Sequence, residues 1–314
     1  MAGETSAEPE NGTGTEPRAG ELFRLDDLSV RFPNGTRAVD RVSLSIARDE
    51  FVVIIGPSGA GKSTLIRVLN RLVTPTGGSV SFAGRDITRA SGKRLRAVRQ
   101  SVGMIFQQFN LVGRLSVIDN VLTGCLRFSG SPISWTGSLV RWFPRDARDR
   151  AMEALEQVGL AGLADQRADT LSGGQQQRVA IARLMLQQPE VILADEPIAS
   201  LDPHSADVVL DRLAAIHRER GVPVLMNLHH VDLARRYATR IIAMRDGKVV
   251  FDAPPSELDE SALDSTYRNP SHADHGNVQS PDRATIQPKP ATAEPAPSPP
   301  TAPESRTAKE AAVR

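Results

Sequence analysis

The apolar positions of this chain fall into two rhythms. "RLDDLSVRF" (24–32) and "VSLSI" (42–46) alternate apolar with polar, the pattern of strands buried on one face. "FVVII", "VILAD" and "VPVLMNL" are unbroken apolar runs of strand length, as expected for central strands of a parallel sheet covered on both faces. Segments 62–72, 147–158, 174–187, 204–219 and 231–238 carry helical spacing. No internal repeat is visible. This order predicts an α/β core between about Glu21 and Leu263. An antiparallel strand layer lies at its N-terminal side, and a mostly helical insertion spans about 93–165.

The ends break both rhythms. Residues 1–20 hold no Val, Ile, Leu or aromatic residue, and nothing after Tyr267 is aromatic. "IQPKPATAEPAPSPPTAPESRTAKEAAVR" is rich in Pro and Ala. Such segments bury too little apolar surface to offset the entropy of ordering. They are read as disordered tails, 1–20 and 265–314, around a folded region 21–264, and a passive solubilising role fits them better than a binding one. The chain has 314 residues, with 38 basic and 37 acidic side chains and a net charge of +1, a balance that argues against a dedicated nucleic-acid binder. Its single cysteine, Cys125, precludes an internal disulfide and is read as a small buried apolar residue. The N-terminus lacks the apolar core of a signal peptide, and no run reaches the ~18 uncharged apolar residues of a membrane span.

The chemistry begins at "FVVIIGPSGAGKSTLIRVL". Gly56, Gly61, Lys62 and Ser63 satisfy G-x-x-x-x-G-K-[ST] between a buried strand and a helix. Glycines let backbone N–H groups turn inward around an anion, and the helix N-terminus adds its positive end. Gly56, Pro57, Ser58, Gly59, Ala60, Gly61, Lys62, Ser63 and Thr64 are therefore read as a phosphate-binding loop. Lys62 would reach the β- and γ-phosphates of ATP, and Ser63 would hold Mg²⁺. "VILADEP" closes another apolar strand with two carboxylates. Asp195 can hold Mg²⁺, through water, and Glu196 can orient and polarise an attacking water. An Asp-Glu pair alone is usually a solvated loop; here it ends a strand in a chain that already has a phosphate loop.

"TLSGGQQQRVAIARLML" is narrower. A Ser hydroxyl and glycine N–H groups at a helix start make a second anion site, and one nucleotide needs only one phosphate loop. Leu171, Ser172, Gly173, Gly174 and Gln175 resemble the LSGGQ signature of ATP-binding cassette (ABC) proteins. The resemblance implies a P-loop NTPase fold: a RecA-like parallel-sheet core with an antiparallel β subdomain and a helical subdomain. It also implies a homodimer in which each signature closes on the other copy's ATP. By the same resemblance, Gln107 in "VGMIFQQFNL" senses metal and attacking water, and Asp202 in "ASLD" lies on a loop crossing the dimer interface. Phe32 in "RFPNGT" stands where the family places an aromatic under adenine, although a lone Phe is more often core. The motifs cover residues 22–262.

Within the family the texture resembles the ATPase subunit of bacterial phosphonate importers, in "RFPNGTRAVDRVSLSI", "MIFQQFNLVGRLSVIDNVLTG", "ILADEPIASLDP" and "NLHHVDLARRYATRIIAMRDGKVVFDAPP". The implied partners are two transmembrane permease subunits and a periplasmic or lipid-anchored solute-binding protein. The implied location is the cytoplasmic face of the bacterial inner membrane. Phosphite, phosphate and polar amino acid importers share parts of this texture. A soluble non-transport cassette or an exporter would usually carry two cassettes, a coiled-coil insertion or fused membrane spans, none of which is visible. Trp135 and Trp142 lie in the insertion with Arg141, Arg145, Arg148 and Arg150 nearby. Packing, docking to the permease and contact with lipid headgroups are all compatible with them.

The adjacent histidines of "NLHHVDLARRYATRII" divide by register. In the family, alanines follow the histidine of the γ-phosphate by five and nine residues, and Arg and Ile by eleven and twelve. Counting from His229 gives Ala234, Ala238, Arg240 and Ile241; counting from His230 breaks the match. His229 is thus the candidate, and His230 a partly solvated residue opening a helix. Neighbouring side chains diverge and no third ligand is close, so the pair is not read as a metal site.

Overall fold

The computed structural model describes residues 20–128, 143 and 145–267. The segments 1–19 and 268–314 lie outside the described residues, as do Arg141, Trp135 and Trp142, and so do the expectations attached to them. The described residues belong to the unit Met1–Arg268.

Two sheets carry the architecture. β1 (Glu21–Arg31), β2 (Arg37–Ala47), β4 (Gly77–Phe82) and β5 (Arg85–Asp86) form an antiparallel sheet in the order β2-β1-β4-β5. The second sheet contains β3 (Phe51–Ile55), β6 (Val102–Ile105), β7 (Val191–Ala194), β8 (Val224–Asn227), β9 (Arg240–Arg245) and β10 (Lys248–Ala253). Its order is β10-β9-β3-β8-β7-β6; all neighbours are parallel except β10, which returns beside β9 through Asp246 and Gly247. Both turn residues have positive φ, 48° and 78°, the backbone a tight hairpin requires.

The α-helices among the described residues are α1 (Lys62–Leu69), α2 (Gly92–Ser101), α3 (Val117–Leu122), α4 (Arg145–Gln157), α5 (Gly173–Gln187), α6 (Pro203–Arg220), α7 (Val231–Tyr237) and α8 (Glu260–Tyr267). The unbroken apolar run of β3 is explained by its two neighbours. Phe51, Val53 and Ile55 face a core shared with the residues of α3, α4, α5 and α6. Val52 and Ile54 face the other core, built from β1, β2, β4 and α1. Each alternate position of the strand meets apolar packing, so none can be polar.

Two expectations are corrected. The stretch 93–165 is not one helical insertion: Val102–Ile105 is β6, the edge of the parallel sheet, with α2 before it. Val102 and Ile105 pack into the two different cores, which is why four residues suffice for a sheet edge. The folded region also runs past 264, because α8 continues to Tyr267; Thr266 is fully buried and donates to Ala262 O at 2.7 Å. Arg148 and Arg150 pair with Asp165 and Asp146 on the surface at 3.6 and 3.4 Å, and Cys125 packs half-buried against the larger core. Burial pushes the Cys125 thiol pKa up, as expected of an inert thiol.

Arg240 ties the sheets together. Its Nε and Nη2 donate to Asp252 on β10 at 2.6 and 2.7 Å, and Nη1 donates to Glu50 at 3.0 Å and to Ser45 O on β2 at 2.9 Å. Hydrogen bonding to Asp252 raises its pKa further. Arg240→Ala strips the partners of two carboxylates that are each less than one-third exposed. A loss of about 2 kcal/mol is expected, discounted for that exposure. A urea midpoint equal to the native one would show that the tie carries no stability.

Candidate nucleotide site

The phosphate loop leaves β3 and enters α1. Gly56, Gly59 and Gly61 have φ of 141°, 82° and 102°. A Cβ on Gly56 would stand 2.1 Å from Met244 O, and one on Gly61 2.0 Å from Ala38 O, so the loop is pressed against β9 and β2 in a way only glycine permits. Gly61 caps α1 in the left-handed conformation, and Ser58 and Gly59 are exposed at the loop's tip. Pro57 and Ala60 complete the turn, with Gly247 N donating to Ala60 O at 3.1 Å, and Ser63 and Thr64 lie in the first turn of α1. Lys62 is 3 % exposed and folds back, its Nζ donating to Gly56 O at 2.7 Å and Pro57 O at 2.9 Å. Burial lowers its pKa, with Glu196 and Asp195 opposing that shift.

Asp195 follows β7 directly and is 2 % exposed. Its Oδ2 takes the Nε and Nη2 of Arg67, on α1, at 3.0 and 2.9 Å, and its Oδ1 takes Asn227 Nδ2, at the end of β8, at 2.9 Å. Glu196 has φ 51°, a left-handed backbone that is rare for a non-glycine residue and recurs at functional sites. Its Oε1 lies 2.7 Å from His229 Nε2. His229 lies two residues beyond β8, whereas His230 is exposed and caps α7 without a side-chain hydrogen bond. The structure therefore joins His229, not His230, to Glu196. Because β3, β7 and β8 run parallel, the phosphate loop, Asp195-Glu196 and His229 all lie at the C-terminal ends of neighbouring strands.

Ser172 opens α5 with a capping box: its hydroxyl accepts from Gln175 N at 3.3 Å, and its N–H donates to Gln175 Oε1 at 2.9 Å. Gly173 lies near Phe109 and Leu201, and Gly174 against the start of α6, where a Cβ would stand 2.6 Å from Ser205 Oγ. The buried Gln177 donates to Pro197 O at 2.7 Å, linking the signature helix to the Glu196 loop. Asp202 caps α6, accepting from Ser205 N at 3.0 Å, and hydrogen bonding to Ser205, through its side chain first and its backbone second, lowers the Asp202 pKa. Gln107 is exposed two residues after β6, on a loop whose Phe109 and Asn110 carbonyls accept from Arg183 of α5 at 3.3 and 2.8 Å. Phe32, 38 % exposed, sits on the β1–β2 turn next to the strand that abuts Gly61.

Residues 39–199 match the profile of the ABC transporter family. The chain belongs to that family. It is 52% identical over 247 residues to a phosphonates import ATP-binding protein of Rhodopseudomonas palustris, covering 78% of this chain and 89% of the relative. It is 53% identical over 246 residues to one of Bradyrhizobium diazoefficiens, covering 78% and 90%. Among solved structures it is similar to the dimeric ATP-binding cassette MJ0796 bound to ADP and Pi, with a TM-score of 0.67, 32% identity and coverage of 74% of this chain and 99% of that one. No helix among the described residues of this ABC cassette is long and apolar enough to cross a membrane.

Four residues of the cassette site carry no motif of their own: Arg67, Asn227, Arg183 and Tyr267, whose hydroxyl accepts from Gly56 N at 3.2 Å. Arg183, desolvated by burial with its pKa lowered accordingly, joins the Gln107 loop to the signature helix. The Glu196–His229 contact makes a direct prediction. His229→Ala should lower ATP turnover by about 10²-fold or more, while His230→Ala should stay within about threefold of native. A coupled phosphate-release assay decides, and the reverse ranking would move the role to His230.

Proposed function

We infer that this chain is the ATP-hydrolysing subunit of an importer, and that the imported class is phosphonates. The observation that carries hydrolysis is the Glu196–His229 pair, held at 2.7 Å beside the phosphate loop. Identity of about one-half to proteins named as phosphonates import ATP-binding proteins supports the substrate class.

Chemistry here is positioning and charge stabilisation, with no covalent intermediate. Lys62 exchanges the carbonyls of Gly56 and Pro57 for the phosphates of ATP, while the loop's N–H groups cradle the anion. Glu196 accepts a proton from the attacking water, and His229 Nε2 holds that carboxylate and steadies the γ-phosphate. Phe32 offers a ring face to adenine. Ser172, Gly173, Gly174 and Gln175 close on the nucleotide of a second copy, with Asp202 beside the interface.

The Ser63 hydroxyl, the Asp195 carboxylate and the Gln107 amide are oxygen donors suited to a hard cation. The buried Asn227 Oδ1 beside Asp195 has no protein partner among the described residues, which leaves an acceptor for a water of a hydrated ion. These residues fit Mg²⁺, which on binding with nucleotide supplies charge neutralisation between the β- and γ-phosphates. Closure of the homodimer is passed through the helical subdomain to two permease subunits at the cytoplasmic face of the membrane. A solute-binding protein outside that membrane selects the cargo.

Glu196→Gln should retain ATP binding by calorimetry while hydrolysis falls by about 10²-fold or more. Lys62→Ala should lose the binding itself. Near-native turnover of the glutamine variant would remove Glu196 from the base role. In the reconstituted complex with its binding protein, alkylphosphonates should raise ATP turnover. Stimulation by amino acids and not by phosphonates would overturn the substrate class.

A further inference from the structure

Gly56 is the hinge on which the phosphate loop leaves β3, and it is held from both sides. Its carbonyl accepts from Lys62 Nζ at 2.7 Å, and its N–H donates to Tyr267 Oη at 3.2 Å. The first partner is temporary on the functional reading given above, because Lys62 must leave for the phosphates. The second comes from elsewhere in the chain: 211 residues separate Gly56 from Tyr267.

The element that delivers Tyr267 is built for that placement. α8 starts at a carboxylate cap, Ala262 N donating to Asp259 Oδ1 at 2.8 Å. It is pinned to β9 by Arg245, whose Nη1 donates to Ser265 O at 2.5 Å, and its Thr266 is fully buried. Tyr267 itself is 40 % exposed, yet its hydroxyl reaches inward to the buried Gly56. The N–H it satisfies lies just past the last parallel pairs of β3, Ile54 with Asn227 and Ile55 with Ala243. At Gly56 the backbone turns to φ 141° against Met244 O, and its N–H finds its acceptor in the tyrosine. A buried N–H without a partner is strongly disfavoured.

We propose that Tyr267 is a positioning residue of the phosphate loop: its hydroxyl keeps Gly56 in the binding geometry when Lys62 exchanges the loop's carbonyls for phosphate. This rests on the assignment of Lys62 to phosphate. Tyr267 touches no reacting atom; it sets how much of the loop's population is ready to receive nucleotide, and apparent affinity scales with that fraction.

Tyr267→Phe in the full chain removes the acceptor and keeps the ring. ADP affinity by calorimetry should weaken about three- to tenfold, the span of one neutral hydrogen bond. KM for ATP should rise by a larger factor than kcat falls. Amide exchange at Gly56, read by NMR, should accelerate while the amides of β3 keep their protection and the melting temperature holds. That localised change is one that a general loss of α8 packing would not produce. Tyr267→Phe with native ADP affinity and native Gly56 exchange overturns the proposal and leaves the phosphate-loop assignment standing, provided Lys62→Ala loses nucleotide. If Lys62→Ala keeps its nucleotide affinity, the assignment fails and the proposal falls with it.

Discussion

The parallel pairing of β3, β8 and β7 is the constraint on which the site depends. Pairing Ile54 with Asn227 and Ala194 with Met226 brings three strand ends to one edge of the sheet. The phosphate loop, the Asp195-Glu196 pair and His229 each follow one of those ends within a few residues. A one-residue slip in any strand would exchange the faces of its side chains and move its working residue away from the others. The two cores prevent that slip, because both faces of β3 are filled and neither accepts a polar residue.

Around that edge, polar side chains fix geometry that packing alone would leave loose. Arg67 and Asn227 occupy both oxygens of Asp195, so its carboxylate is held from α1 and from β8 at once. Gln177 and Arg183 run from the signature helix to the Glu196 loop and the Gln107 loop. The helix that begins at Ser172 is therefore bonded to the loops that carry Glu196 and Gln107.

Much of this was legible in the sequence, for a physical reason. A phosphate loop needs glycines at set spacings, and a strand covered on both faces needs an unbroken apolar run; both leave marks on residue type. The register count that singled out His229 over His230 was possible because α7 and β9 must follow at fixed lengths, and it is His229 that meets Glu196. What stayed hidden leaves no such mark. Val102–Ile105 is four residues long and follows a helix, so it read as part of the helical insertion. Arg67, Asn227, Arg183 and Tyr267 are single side chains whose partners are distant in sequence, as Tyr267 and Gly56 show. The Asp246-Gly247 turn between two apolar runs is a hairpin signal that would have marked β9 and β10.

The central claim is that one chain carries half of each nucleotide site, its own loop and catalytic pair, and that a second copy's signature completes it. Sedimentation velocity of the Glu196→Gln chain tests this most directly. A monomer without nucleotide that becomes a dimer on adding ATP and Mg²⁺, and returns to monomer when Ser172 is replaced by a bulky residue, is the predicted result. A chain that binds ATP stoichiometrically and remains a monomer at every concentration reached would contradict the account.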